Sequence, residues 1–246
     1  LDLNTMNLSI QDLKKKITKK TKAIVCVDYG GIPNDYLTLL KICKEKNLKL
    51  ISDGAHALGS KYRGKHIATY ADFTAYSFQA IKTITTGDGG MLVIKNSKLY
   101  EKAKRLRWFG IDKAKKIKNI WDNDIKEIGY KYQMTDISAC LGLSAILDIN
   151  SIIKKRNDLF KIYERELKNN KSIKIIGKSK TKEYFNSSWL ITILVKNQER
   201  TSLMKKLKKN KIESGQVHFR NDIYSIFGGR RKDLPNMDKI ENQYLV

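Results

Sequence analysis

The chain has 246 residues with 49 Lys and Arg against 25 Asp and Glu, which gives a formal net charge of +24 at pH 7. No apolar run approaches the ~20 residues that a bilayer span needs, so the sequence predicts no transmembrane segment. Three distant cysteines, Cys26, Cys43 and Cys140, exclude a disulfide scaffold and a zinc ribbon, and they fit a reducing, cytoplasmic compartment.

The positive charge does not point to one kind of partner. The lysines are spread along the whole chain, and no RNA-binding or zinc-finger signature accompanies them. We therefore interpret the charge as a solvated lysine-rich surface rather than a specific nucleic-acid patch, and part of it can attract an anionic substrate.

Strands and helices alternate in the first half of the chain. Residues 21–28, 48–52, 73–78 and 90–95 read as strands, and residues 97–107 read as a helix. Asp35 can cap another helix, because Tyr36, Leu39, Leu40 and Cys43 follow it at helical spacing. This order predicts an α/β fold with a largely parallel sheet that is buried on both faces.

The pattern changes after residue 135. Residues 137–147 are apolar nearly all round, which predicts a helix buried inside the domain or at a subunit interface. An amphipathic helix over 152–167 can link two domains, and short strands near 173–176 and 189–195 precede a basic helix over 199–209. We expect residues 1–150 to form part of a large α/β domain. Residues 151–246 are expected to form the linker helix and a smaller, incomplete α+β domain.

Three groups of polar residues follow predicted strands. They are Asp53 with His56, Ser77 with Lys82, and the Gly-rich turn that ends at Gly90. Ligands of α/β sheets bind at the carboxyl ends of the strands, so these groups are expected to share one crevice. An amine, a carboxylate and a hydroxyl suit pyridoxal 5′-phosphate (PLP), which needs a Schiff-base lysine, a partner for its ring nitrogen and donors for its phosphate.

Plainer interpretations of these residues stay open at this point. The Asp53 carboxylate can be only a helix cap, Ser77 only a strand-end hydroxyl, and Lys82 a surface lysine like most others in the chain. His56 can be a satisfied packing residue, and we interpret His66 and His218 as packing residues.

The sequence resembles the DegT-type sugar aminotransferases, PLP enzymes of the aspartate-aminotransferase fold type I. The matching stretches are residues 51–59, 76–90, 105–111 and 129–136, with residues 217–222 and 234–236 resembling the C-terminal region of one subgroup. The resemblance covers essentially the whole chain, and the block from Ser77 to Lys82 with its Gly-rich tail is its most specific part. It implies an enzyme with a large PLP-binding domain and a smaller C-terminal domain.

The resemblance also implies roles for individual residues. Lys82 forms the Schiff base with the cofactor and moves protons, while Asp53 pairs with the ring nitrogen. His56 stands where the family usually has Gln, beside the ring oxygen, and Ser77 binds the phosphate. Lys131 stands where many members have an Asn that reaches the phosphate of the neighbouring subunit, which implies a homodimer with shared active sites.

The resemblance implies a reaction as well: an amino group passes from glutamate to a keto carbon of a nucleotide-linked sugar, for surface polysaccharides or amino sugars. Family members extend beyond both ends of this chain, so we expect a fragment that lacks the phosphate cradle and a ring-stacking aromatic, and that retains PLP weakly. The alternatives are a PLP-dependent sugar dehydratase, a basic nucleic-acid-binding protein and an inactive fragment. Dehydratase relatives replace the Schiff-base lysine with His, so Lys82 argues against the first.

Overall fold

The computed structural model describes residues 1–114, 119, 124–196 and 199–246. Its helices are α1 (Ile10–Lys16), α2 (Tyr36–Lys46), α3 (Ser97–Leu106), α4 (Asp136–Leu147), α5 (Ile149–Glu166), α6 (Arg200–Lys209) and α7 (Pro235–Ile240). Its strands are β1 (Ala23–Val27), β2 (Lys49–Asp53), β3 (Lys61–Tyr62), β4 (Lys65–His66), β5 (Phe73–Ser77), β6 (Gly90–Ile94), β7 (Ile173–Ile175), β8 (Tyr184–Phe185), β9 (Ile193–Val195) and β10 (Tyr244–Leu245).

The main sheet of the described residues has the strand order β1-β2-β5-β6. Strands β1, β2 and β5 are parallel, which confirms the predicted mostly parallel α/β sheet, whereas β6 is antiparallel to β5. A parallel pairing of β5 and β6 would need a long crossover, which is usually a helix. Residues 78–89 between the two strands contain no helix. In register, Val27 lies opposite Asp53 and Asp53 opposite Ala75, so three carboxyl ends meet at one edge.

One face of this sheet packs on α2. Ile24 and Cys26 of β1 are buried together with Leu39 and Ile42 of the helix in the main hydrophobic core. The predicted cap is confirmed, because the Asp35 side chain accepts a hydrogen bond from the backbone N–H of Thr38 at 3.2 Å. Burying this face fixes β1 and β2 against the helix, and thereby fixes the position of the loops that follow their carboxyl ends.

A second, smaller sheet is antiparallel and has the order β10-β9-β7, and a further short sheet has the order β4-β3-β8. The smaller core combines residues from distant parts of the chain: Ile32, Ile176, Leu194, Ile240 and Tyr244, with Leu1 and Leu3 packed against them. The first residues of the chain therefore contact its last strands. The division of the chain near residue 150 stays a prediction.

Helix α4 is more exposed than its composition predicts. Ile137, Leu143 and Leu147 are 79%, 68% and 83% exposed, and α4 has no buried residue. The prediction that this helix is buried inside the domain is wrong for the described residues, because no described element covers it. Cover by a second subunit stays a prediction.

Among the described residues no single helix is long and apolar enough to cross a bilayer, although α4 and α5 together, bent by 58°, meet that test by length and composition.

Arg220 holds the C-terminal segment together. Its guanidinium is 2% exposed and donates to both carboxylate oxygens of Asp222 at 2.6 Å, and also to Asp238 and Glu241 at 2.6 and 3.0 Å. Arg230 donates to the same Asp238 and Glu241 from a more exposed position. Hydrogen bonds from Arg220 lower the pKa of Asp222 and of Asp238. This closed network ties residues 220–222 to α7.

Candidate active site

The site lies where β2 and β5 end. Asp53 is the last residue of β2, and Ser77 is the last residue of the neighbouring parallel strand β5. The turn after β2 is tight, since the N–H of Ala55 donates to the Asp53 carboxylate at 3.0 Å and the N–H of Gly54 donates to the Ala75 carbonyl at 2.8 Å. Both strands therefore deliver a polar side chain to the same edge of the sheet.

The loop after Ser77 is folded back on itself and presents Lys82. The Ser77 hydroxyl accepts from the N–H of Gln79 at 3.3 Å, and the Gln79 carbonyl accepts from the N–H of Lys82 at 2.9 Å. Further along, the N–H of Thr86 donates to the Phe78 carbonyl at 2.9 Å. These bonds bring Ser77 and Lys82 into one compact loop, as the sequence predicts.

Lys82 is withdrawn from solvent without an ion-pair partner among the described residues. Its Nζ lies 3.9 Å from the centroid of the Trp189 ring. Partial burial lowers its pKa, and the charge of Asp53 opposes this shift. Lys82 and Asp53 therefore interact electrostatically at the sheet edge, and a larger fraction of the amine is neutral than in an exposed lysine.

His56 lies between aromatic side chains in the same site. Its ring stacks on Trp189 at 4.0 Å between centroids, and on His218 at 5.7 Å. Burial lowers the pKa of His56 to about 3, with smaller contributions from the charges of Lys82 and His218. Because Nδ1 accepts from the N–H of Gly30 at 3.3 Å, the neutral ring carries its proton on Nε2 and can donate there.

The structure adds residues that the sequence analysis missed. His218 packs by stacking on His56, which brings it into the site, and its carbonyl accepts from Tyr244 Oη at 2.6 Å. Tyr29 Oη donates to the Val217 carbonyl next to it. Trp189 and His218 follow Lys82 by more than 100 residues, so no local spacing could reveal them. In the sequence, His218 is marked only by its place in the stretch 217–222, which resembles the C-terminal region of one subgroup of the family.

His66 departs from its interpretation as a packing residue. It is exposed on β4 and lines a cavity of about 870 Å³ between α5 and the short sheet. The residues around this cavity include none of Asp53, His56, Ser77 and Lys82. Several of its charged side chains pair with one another, as Lys154 and Lys161 do with Asp158. We place the candidate active site at the strand ends, where the buried His56 lies with the half-buried Asp53 and Lys82.

Lys131 is not part of this arrangement within the chain. It is exposed, pairs with Trp108 in an isolated β-bridge, and has its Nζ 4.0 Å from the Trp108 ring centroid. No contact between Lys131 and Lys82, Asp53, His56 or Ser77 is found in the part of the chain that the structure describes. Its predicted role at the phosphate of a second subunit stays a prediction.

The whole chain, residues 1–246, matches the model of the DegT/DnrJ/EryC1/StrS aminotransferase family. The chain belongs to this family. It is 32% identical to GDP-perosamine synthase of Escherichia coli O157:H7, over 100% of this chain and 68% of that protein. It is 35% identical to UDP-4-amino-4,6-dideoxy-N-acetyl-beta-L-altrosamine transaminase of Campylobacter jejuni, over 75% of this chain and 48% of that protein.

Solved structures confirm the predicted fold class. The chain superimposes on Helicobacter pylori PseC, an aminotransferase involved in the biosynthesis of pseudoaminic acid, with a TM-score of 0.89 and 28% identity. The match covers 100% of this chain and 66% of PseC. The chain thus spans about two thirds of the length of these family members, or less, as with the C. jejuni protein.

Proposed function

We propose that the protein is a PLP-dependent aminotransferase that moves an amino group from an amino acid, glutamate in the family's usual reaction, to a keto group of a nucleotide-linked sugar. Family membership and the names of the relatives support this reaction, and the GDP and UDP sugars in those names support a nucleotide-linked acceptor. The observation that carries the proposal is the half-buried amine of Lys82, which has no ion-pair partner among the described residues. It feels the charge of Asp53 and lies against the Trp189 ring, on which His56 stacks.

The described residues fit PLP by their chemistry. The amine of Lys82 is neutral more often than the amine of an ordinary lysine. Only a neutral amine can attack a carbonyl group. Asp53 has one oxygen bonded to the N–H of Ala55, and no other side chain competes for it among the hydrogen bonds of the described residues. His56 and Trp189 add two stacked ring systems next to the Lys82 amine. PLP bound there supplies an aldehyde and a ring that withdraws electrons from the reacting carbon.

In this proposal Lys82 has two tasks. Its neutral amine would hold the cofactor, and the same amine would take the α-proton of the donor as a general base and return a proton as a general acid. A base for this step works best when its pKa is lowered toward the working pH, and partial burial lowers the pKa of Lys82. The charge of Asp53 opposes this lowering of the Lys82 pKa.

The remaining residues orient the cofactor. Asp53 would hold a proton on the ring nitrogen, since a carboxylate stabilises a nearby cation. His56 would donate from Nε2, because Nδ1 is already occupied by the N–H of Gly30. Ser77 would bind the phosphate from one chain, and Lys131 from the other chain of a homodimer, where a full positive charge suits a phosphate. We place this reaction in the cytoplasm.

The experiment that tests the proposal is trapping of the cofactor. PLP is added to the protein, borohydride is used to fix any adduct, and the peptides are mapped by mass spectrometry. We expect the added mass on the peptide that contains Lys82, and its absence in Lys82→Arg, which keeps the charge. Glutamate should then be converted to 2-oxoglutarate, and GDP- and UDP-linked keto sugars are compared as acceptors. A stable adduct on another lysine, with Lys82 unmodified, would refute the proposal.

A further inference from the structure

Trp189 contacts Lys82, although Trp189 lies outside all of the matching stretches of the sequence. The Lys82 Nζ lies 3.9 Å from the centroid of the indole ring, within the ~6 Å at which a cation is attracted to an aromatic face. Most lysines among the described residues are exposed to solvent, whereas Lys82 is partly covered. The contact therefore combines a ring face with shielding from water.

The indole is fixed from two sides. Its Nε1–H donates to the Ile81 carbonyl at 3.0 Å, so the ring is tied to the residue that precedes Lys82. His56 stacks on the ring at 4.0 Å between centroids, with 30° between the planes. A ring held by one hydrogen bond and one stacked neighbour keeps its position when the lysine changes its charge.

The backbone that carries Trp189 is fixed as well. The N–H of Ser188 donates to the Asn186 side chain at 2.7 Å, and the buried Asn157 amide donates to the Asn186 carbonyl at 3.0 Å. Asn157 belongs to α5, so the long helix anchors the loop before β9. The loop that presents the ring is thus part of the packed structure.

We propose that Trp189 is a positioning residue for Lys82, whose ring face holds the ammonium group and whose apolar body keeps water from it. This inference rests on the proposed function for its significance, but the contact itself involves only residues of this chain. Trp189 thereby sets how much neutral amine Lys82 offers at a given pH.

Two opposed effects act on Lys82 in this arrangement. The ring face stabilises the charged form, whereas the exclusion of water destabilises it. The other titratable groups that face the site are Asp53, which favours the charged form, and His56 with its neighbour His218. Since burial lowers the pKa of His56 to about 3, His56 is neutral at pH 7 and Asp53 is the main charge that acts on Lys82.

Two substitutions separate the effects because they shift the titration of Lys82 in opposite directions. Trp189→Met keeps an apolar side chain over the amine and removes the ring face, so the pH midpoint of Lys82 should fall by about half a unit to one unit. Trp189→Ala admits water, so the midpoint should rise toward that of an ordinary lysine. A side chain with only a structural role would not produce shifts of opposite sign.

The experiment measures the pH dependence of Lys82 acylation by an amine-directed reagent in the protein without added cofactor, by mass spectrometry of the peptide that contains Lys82. Trp108→Met is the matched control, since Trp108 has a lysine, Lys131, at 4.0 Å from its ring centroid, and it must leave the midpoint of Lys82 unchanged. Melting temperatures show that each variant is folded. Trp189→Phe, a milder change, should give a smaller shift in the direction of Trp189→Met.

An unchanged midpoint in both Trp189→Met and Trp189→Phe would overturn the inference, as would an equal shift in the Trp108→Met control. A second measurement follows the fluorescence of Trp189 in a background in which the other two tryptophans of the chain are replaced, Trp108→Phe with Trp121→Phe. PLP trapped on Lys82 should quench most of the Trp189 emission there. Failure to trap PLP on Lys82 would count against the proposed function alone, because the acylation profile needs no cofactor.

Discussion

Arg220 and Lys82 are both withdrawn from solvent, yet their surroundings differ. Arg220 donates to three carboxylates, and its side chain is almost completely buried. Lys82 lies against a ring face and feels the charge of Asp53, with no ion pair among the described residues. A buried cation with all its donors satisfied serves the stability of the C-terminal segment. A half-buried cation without a partner is available for chemistry, and its pKa is free to respond to what binds beside it.

The two clusters are connected through one short segment. Residues 217–222 carry His218 into the Lys82 site and Arg220 into the C-terminal network. Tyr29 and Tyr244 hold the carbonyls of Val217 and His218. Stability in one region thus supports geometry in the other, and substitutions can test whether the two roles separate.

Replacement of Lys82 by Ala should have the largest effect. Transamination should fall by ~1000-fold or more, because the amine that holds the cofactor and moves the proton is lost. The melting temperature should change by less than about 2 °C, since no ion pair is broken. The measurements are steady-state kinetics and calorimetry, with Lys82→Arg as the control that keeps the charge. A large loss of stability would show that Lys82 is structural.

Arg220→Ala should give the opposite result for stability. It removes the guanidinium that donates to both carboxylate oxygens of the buried Asp222, so the melting temperature should fall by about 6 °C or more. Arg230→Ala is the control, because Arg230 pairs with Asp238 and Glu241 from an exposed position. This substitution should lower the melting temperature by about 2 °C or less. Equal effects of the two substitutions would show that the buried Arg220 contributes no more to stability than the exposed Arg230.

The sequence predicted the part of the Lys82 site that lies at the strand ends, and not the part that comes from the second half of the chain. Strand periodicity, the Asp35 cap and the block from Ser77 to Lys82 are local signals, and local signals are enough to place Asp53 and Lys82 at neighbouring strand ends. Trp189 and His218 reach the site only through tertiary packing, which leaves no spacing in the sequence. The prediction that α4 is buried inside the domain is wrong for a related reason. The sequence of an apolar helix indicates that something covers it, but it does not indicate which element or subunit does so.

His56→Gln tests the site by pH. A pKa lowered to about 3 in the folded protein means that only the unfolded chain gains a proton between pH 6.5 and 3, so His56 costs stability as the pH falls through this range. At pH 5 the loss relative to pH 7 is about 2 kcal/mol at most. Gln does not titrate, so the variant should lose less stability between pH 7 and 5 in urea unfolding. Parallel losses in both proteins would show that His56 is protonated in the fold.

The smallest effect concerns the Arg220 network in acid. Hydrogen bonds from Arg220 lower the pKa of Asp238, so this carboxylate contributes stability above the pKa it has in the unfolded chain. That contribution is lost as the pH falls further, through the lowered value of the folded state. Asp238→Asn should therefore lower the melting temperature by about 1–3 °C at pH 7 and make its decline between pH 5 and 3 shallower than in the unmodified protein. The acid range in which His56→Gln acts begins near pH 6.5, so melting curves at pH 6 distinguish the two regions. If Asp238→Asn alters the curve at pH 6 as much as at pH 3, the network is not the source of the acid sensitivity.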